Sequence, residues 1–238
     1  MKIGLLSDIH ANLTALEAVL AAIGAVDALW VCGDTVGYGP DPSDVLSLLT
    51  ERGATLVAGN HDRAVARGED LELFNTPAAA AVKTHQRWLS AAERDLLAGL
   101  PRTLEMNDVT LCHGSLRDPL WEYVTNPRAA AASLALAKTA HCCAGHTHVP
   151  SLFSSADRVQ AGRVKYDTPY QLEGRVFMNP GSVGQPRDGD PRAAYAVLDL
   201  SGRTVTFHRS SYRFDETQRR IRERGLPPIL ADRLAFGL

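Results

Sequence analysis

The sequence has only four cysteines, and none is placed for chemistry. Cys32, Cys112, Cys142 and Cys143 form no C-x-x-C pair and two of them are adjacent, which suits neither a thiolate zinc site nor a disulfide framework. They read as small buried thiols in a reducing cytoplasm. Long apolar runs are missing too: none approaches the roughly 18 residues of a membrane-spanning helix. The opening residues turn polar at Ser7-Asp8, too soon for a signal peptide. Nor is there an excess of one charge. Lys and Arg number 25 against 27 Asp and Glu, so the formal net charge of −2 supplies no global field toward nucleic acid or an anionic membrane. No internal repeat and no linker divides the chain, which reads as a single domain over residues 1–238.

Elements follow from periodicity. Lys2–Ser7 is a short apolar run with a turn-like Ser-Asp at its end, hence a buried strand. Asn12 suits a helix cap before Leu13, Leu16, Val19, Leu20 and Ile23, which recur at helical spacing. Ala28–Cys32 is a second strand, Ser43 is expected to cap a helix carrying Val45, Leu48 and Leu49, and Ala54–Ala58 is a third strand. This β-α-β-α-β alternation predicts parallel strands with helices on their faces. The alanine-rich stretch at about 64–100 is predicted as two helices joined near Leu89, with Pro77 in a first turn and Ser90-x-x-Glu93 as a capping box. Its part from Ala78 to Ala98 is expected to wall one side of a cleft. Strands are expected at Arg102–Glu105, Val109–Cys112 and Ala140–Ala144, with a helix from Asn126-Pro127 to about Lys138. Beyond Ser151, the runs Arg175–Met178, Ala193–Leu200 and Thr204–Arg209 resemble antiparallel strands, and a terminal helix covers Glu216–Arg224.

Polar residues gather where strands end. The first three strands stop at Asp8-Ile-His10, Gly33-Asp34 and Gly59-Asn60-His61-Asp62. Two later ones stop at His113-Gly114 and Gly145-His146-Thr147-His148. In an open α/β sheet those ends share one edge, where ligands bind. If the segments are extended, positions i and i+2 face the same way, so Asp8 pairs with His10 and His146 with His148. Four imidazoles, two carboxylates and one amide oxygen are too many for one ion, and fit two ions of borderline softness sharing a carboxylate. Glycines beside the candidate ligands permit tight turns and close approach.

These five blocks, in this order and spacing, resemble the signature of the calcineurin-like metallophosphoesterases. The later Asn179-Pro-Gly-Ser-Val-Gly184 resembles a segment of their small bacterial and archaeal phosphodiesterase branch. The resemblance implies an α/β fold, a four-layer α/β/β/α sandwich of two mixed sheets flanked by helices. It implies one metal on Asp8, His10, Asp34 and His148 and a second on Asp34, Asn60, His113 and His146, most readily manganese, with iron, zinc or nickel as alternatives. It further implies hydrolysis of a small or nucleotide-like phosphodiester by hydroxide generated between the ions. His61 would then donate a proton to the leaving oxygen, with Asp62 orienting it or a metal ligand. Tyr38 and Arg187 are candidate substrate contacts.

Other residues read as structural: His85 and His208 as surface or satisfied side chains, His141 as a strand residue, and Trp30, Trp88 and Trp121 as core or pocket wall. Protein serine/threonine phosphatases carry an arginine shortly after the second aspartate and have Gly-Asn-His-Glu. Here Gly33–Gly39 has no arginine and the later motif ends in Asp62, so a phosphomonoesterase or protein-phosphatase activity is the weaker alternative. Repair nucleases share Gly-Asn-His-Asp, yet this chain has no room for their additional domain and no evident phosphate track. A non-catalytic interaction module is the other class, because a retromer subunit keeps the fold without catalytic character. His61 and the complete ligand set favour an enzyme. Exposed strands in the C-terminal third would allow a homodimer, without any pattern requiring it.

Overall fold

A computed structural model describes residues 1–154 and 164–238. The chain builds two mixed sheets back to back. The first contains β1 (Lys2–Leu6), β2 (Ala28–Val31) and β3 (Thr55–Leu56), with β8 (Pro169–Gln171), β10 (Ala193–Asp199) and β11 (Thr204–Ser210), in the order β3-β2-β1-β10-β11-β8. The second contains β4 (Thr103–Met106), β5 (Val109–Cys112), β6 (His141–Cys143), β7 (Ser151–Ser154) and β9 (Val176–Asn179), in the order β4-β5-β6-β9-β7. The strands β1, β2 and β3 run parallel, as their alternation with helices predicts, and so do β5, β6 and β9.

Alternate side chains divide each strand between two cores. Ile3, Leu5 and Trp30 of the first sheet meet Val109, Leu111, Cys143, Val176 and Met178 of the second in the space between the sheets. Leu6 and Val31 face outward instead. There they pack against α1 (Leu13–Ala22) and α2 (Pro42–Glu51). Cys112, Cys142 and Phe177 face the opposite way, against α6 (Pro127–Leu136). The result is the four-layer α/β/β/α sandwich. All four cysteines are buried and free; Sγ of Cys32 and Sγ of Cys143 face each other at 3.4 Å across the inter-sheet core.

Three helices stand to one side: α3 (Asn60–Arg67), α4 (Thr76–Trp88) and α5 (Ala91–Gly99). The break between the last two falls at Leu89-Ser90, where Ser90 and Glu93 form the expected box. Pro77 lies in the first turn of α4, and Asn12 and Asn126 cap α1 and α6. Near the C-terminus, α7 (Phe214–Glu223) and α8 (Pro228–Asp232) pack on Tyr38, Ala78 and Ala81.

Several expectations are corrected. Ser43 does not cap α2: the helix begins at Pro42, whose fixed φ suits a first position, and the N-cap is Asp41. The Asp41 carboxylate is drawn away from capping to meet Arg220 and Arg224 near the end of the chain. Val176–Asn179 is not purely antiparallel, since it runs parallel to β6 on one side and antiparallel to β7 on the other. The short β7 and β8, and the last helix, carry no periodic signal.

Candidate metal centre

The ends of β1, β2, β5 and β6 meet in one place, but they come from two sheets and not from the single sheet edge that the spacing suggests. Beyond the strands the backbone stays paired: Asp8 N donates to Gly33 O at 3.0 Å and His10 N to Asp34 O at 3.0 Å. The side chains are not aimed by strand alternation. Asp8, His10, Asp34, His146 and His148 all adopt left-handed backbone conformations, with φ of 52°, 49°, 53°, 66° and 60°. Each such residue costs about 1–3 kcal/mol, and strain of this kind gathers at functional sites. Two glycines admit the resulting close approach. A Cβ on Gly59 would lie 2.0 Å from Asp34 Oδ1, and one on Gly145 would lie 1.8 Å from Ser7 Oγ and 2.6 Å from Asp8 Oδ2.

All seven candidate ligands are buried. They form two groups that share Asp34. In one, donor atoms of Asp8, His10, Asp34 and His148 lie within 4.8 Å of one another; in the other, those of Asp34, His113 and His146 do. Asn60 joins the second group, its Oδ1 lying 3.0 Å from His113 Nε2.

Every imidazole of the centre is anchored through its other nitrogen to a main-chain carbonyl. His10 Nδ1 donates to Val36 O at 3.1 Å, His113 Nδ1 to Cys32 O at 2.9 Å, His148 Nδ1 to Gln185 O at 2.5 Å and His146 Nε2 to Trp121 O at 3.1 Å. These bonds fix tautomer and orientation, turning the remaining nitrogens inward. Inward they face one another: His10 Nε2 is 3.2 Å from His148 Nε2, and His113 Nε2 is 2.9 Å from His146 Nδ1. Asp8 Oδ1 is buried without a hydrogen-bond partner, 3.3 Å from His148 Nε2. Inward-facing ring nitrogens, an orphaned carboxylate oxygen and a shared carboxylate fit divalent cations.

Electrostatics agree with that fit. Burial pushes His10 and His148 well below the usual imidazole range, and lowers His146 to about 3, so these rings are neutral. Burial opposes protonation of His113 as well, but the Asp34 carboxylate outweighs it and raises the group to about 9. Asp8 is pushed up to about 7 by burial, with His113 drawing it down and Asp34 up.

His61 follows Asn60 in the first turn of α3. Its N–H donates to Asp34 Oδ1 at 2.9 Å, and its ring packs against His10, Tyr38 and Phe74 at centroid distances of 4.8, 4.5 and 4.7 Å. Nδ1 is buried without a partner, and burial lowers the ring to about 4. Asp62 does not orient His61. Its Oδ1 accepts from Thr35 N at 2.9 Å and Val36 N at 3.1 Å, and its Oδ2 from Gly59 N at 2.9 Å, so it ties the turn carrying Asp34 to the helix carrying Asn60. The reason is position: a third-residue carboxylate curls back on its own helix N-terminus.

A cleft opens on this centre. Tyr38 and Arg187 both line it, and Arg187 Nη2 donates to Tyr38 Oη at 3.3 Å and Gln185 Oε1 at 3.1 Å. The wall from the helical region is Leu73, Phe74, Asn75 and Ala78, the turn before α4 and its start, not the span up to Ala98. Trp121, whose ring meets Phe74 at 5.1 Å, and Tyr123 continue that wall. Apart from Trp121 and Ala78, these wall residues are invisible to motif reading; the signal is large apolar side chains in segments otherwise built like loops. Asn179–Gln185 is a strap: Asn179 Nδ2 donates to Gly145 O, Ser182 Oγ to Asp8 O and Gly184 N to Asp8 O. His85 is buried and structural, bonding Gly37 N and Gly39 O on either side of Tyr38. His141 is buried on β6, and His208 pairs with Asp167 while stacking on Tyr195. Trp30 is core.

Residues 1–203 match the model of the calcineurin-like phosphoesterase superfamily domain. A metallophosphoesterase from Sphaerobacter thermophilus superposes with a TM-score of 0.91 at 41% identity, covering 100% of this chain and 99% of that one. An uncharacterized protein of Methanocaldococcus jannaschii is 31% identical over 99% of this chain and 98% of its own length. The phosphodiesterase YfcE of Escherichia coli is 28% identical over 84% of this chain and 88% of its own.

Proposed function

We propose, from the premise that the chain belongs to the calcineurin-like phosphoesterase superfamily, that it is a binuclear-metal-dependent phosphodiesterase acting on small or nucleotide-like phosphodiesters. The observation that carries this reading is the pair of donor groups sharing Asp34, with all four imidazoles pre-oriented by main-chain carbonyls. Similarity to a protein named a phosphodiesterase supports the choice of diester.

Asp8, His10, Asp34 and His148 would hold one ion, and Asp34, Asn60, His113 and His146 the other. When bound, two such ions neutralise phosphoryl oxygens and lower the pKa of nearby water. The remaining work falls to the chain. Asp62 holds the turn of Asp34 against the helix of Asn60, so that both donor groups keep their spacing. Arg187, at the cleft wall, offers guanidinium N–H groups to a phosphoryl oxygen. His61 faces the same cleft and is the candidate proton donor to the leaving oxygen. Because burial keeps its ring neutral, that role requires the negative charge of the bound ester to draw its pKa upward. The walls of Tyr38, Phe74 and Trp121 limit water around the leaving group.

The test compares bis(p-nitrophenyl) phosphate with p-nitrophenyl phosphate, with manganese and after chelation. Manganese-dependent hydrolysis favouring the diester is expected. Faster monoester hydrolysis would shift the reading to a phosphatase. No hydrolysis of either by folded, manganese-loaded protein would make the fold a scaffold.

A further inference from the structure

Arg187 and the donor groups line the cleft, and so does a run of aromatic side chains in edge contact from the candidate proton donor to a candidate ligand. Phe74 meets His61 at 4.7 Å and Trp121 at 5.1 Å, and Trp121 meets His146 at 6.3 Å. Tyr123 continues the series in a different geometry, lying flat on His146 with centroids 3.9 Å apart and planes 24° apart.

Two members of this wall are exposed against the usual preference of large apolar groups. Tyr123 is 49% and Leu73 59% exposed, and both line the cleft. They come from separate segments: Leu73 ends the turn before α4, and Tyr123 follows β5 by about a dozen residues. One hydrogen bond joins the segments, from Trp121 Nε1 to Asp70 Oδ2 at 3.0 Å. The loop of Trp121 and Tyr123 is anchored in turn by the bond between Trp121 O and His146 Nε2 at 3.1 Å. The wall is therefore fixed to the metal centre through main-chain geometry. The imidazole of His146 covers one face of the Tyr123 ring, and a flat group entering the cleft would extend that stack.

We infer that Tyr123 and Leu73 select the group esterified to the phosphorus, and that they accept a flat aromatic or heteroaromatic group, such as a nucleoside base, over an alkyl chain. The inference rests on the phosphodiesterase reading and adds to it which wall of the cleft takes the organic part and by what contact. Arg187 and the donor groups hold the phosphoryl oxygens. The organic group that stays on the phosphorus then lies against Tyr123 with Leu73 closing over its edge. Stacking on an aromatic side chain is tolerant of the base's identity, so discrimination falls between flat and non-flat groups, not among bases.

The experiment has two readouts on manganese-loaded protein and on the variants Y123A and L73A. One is kcat/KM for a nucleoside p-nitrophenyl phosphodiester and for methyl p-nitrophenyl phosphate. The other is calorimetric binding of adenosine monophosphate and of methyl phosphate. The wild type is expected to prefer the aromatic member in both. Y123A is expected to lose that preference by roughly 5- to 100-fold, the range typical of one base–aromatic stack, and L73A to lose part of it. Both substituted side chains are substantially exposed, so folding is expected to survive, and circular dichroism checks it. Hydrolysis of both esters with no aromatic preference, or a preference unchanged in both variants, overturns the inference and leaves the phosphodiesterase reading standing. Tyr123-dependent preference in binding without hydrolysis of either ester does the reverse.

Discussion

His61 carries the sharpest expectation at the scale of single residues. It touches no candidate donor atom through its ring nitrogens, while its main-chain N–H supports Asp34. Replacing the side chain should therefore leave metal content intact. H61A is expected to retain two ions per chain and to lose about 10²–10⁴-fold in kcat on alkyl leaving groups, with a much smaller loss on p-nitrophenoxide, which departs without a proton. Equal losses on both leaving groups would remove His61 as proton donor. His113 supplies a second test. The Asp34 carboxylate, working against burial, holds it near 9 in the ion-free protein. An ion taking its inward nitrogen displaces that proton. Between pH 7 and 8.5 manganese binding should release about one proton from His113, declining as pH rises through 9. Calorimetry in buffers of different ionisation enthalpy measures it, and H113Q should abolish that proton.

Between residue and molecule lies the strand end with its turn, and here the sequence was legible to an uneven degree. Asn12, Ser90 and Asn126 announce their helices because a cap is a local hydrogen bond. The identities of all seven candidate ligands are equally plain, since chemistry at strand ends survives as a spacing. What spacing does not carry is conformation. Alternation along an extended strand brings Asp8 to His10 for the wrong reason, because both residues are left-handed. Nor does it carry long-range pairing: Lys2 lies opposite Asp199, and no local pattern announces a partner so distant. The aromatic wall was hidden for a related reason, as a lone tryptophan in a loop looks the same whether it lines a cleft or fills a core. The glycines at the turns offer the element-scale test. G145A forces a methyl group onto Ser7 and the Asp8 carboxylate. It should cost about 1–3 kcal/mol of stability, as overpacking does, and weaken manganese binding about 10- to 100-fold. G99A, at a helix end with open space around its Cβ, is the control and should change neither. Thermal denaturation and metal titration of the two variants decide it.

For the whole molecule, the centre is a seam between the two sheets. β1 and β2 bring Asp8, His10 and Asp34 from one sheet, and β5 and β6 bring His113, His146 and His148 from the other. Ions held there would clasp the sandwich at one end, and neutralise buried carboxylates that otherwise repel. Saturation at about a thousand times Kd contributes about 4 kcal/mol per ion, each of which for a chain of this size raises Tm on the order of 10 °C. Scanning calorimetry before and after chelation should show that difference, and D34N, which weakens both donor groups, should shrink it most. The central claim is that two ions share Asp34 across the seam, and anomalous scattering from crystals grown with manganese tests it most directly. Two peaks are expected, one among Asp8, His10, Asp34 and His148 and the other among Asp34, Asn60, His113 and His146. A single peak, or peaks away from these side chains, would contradict it.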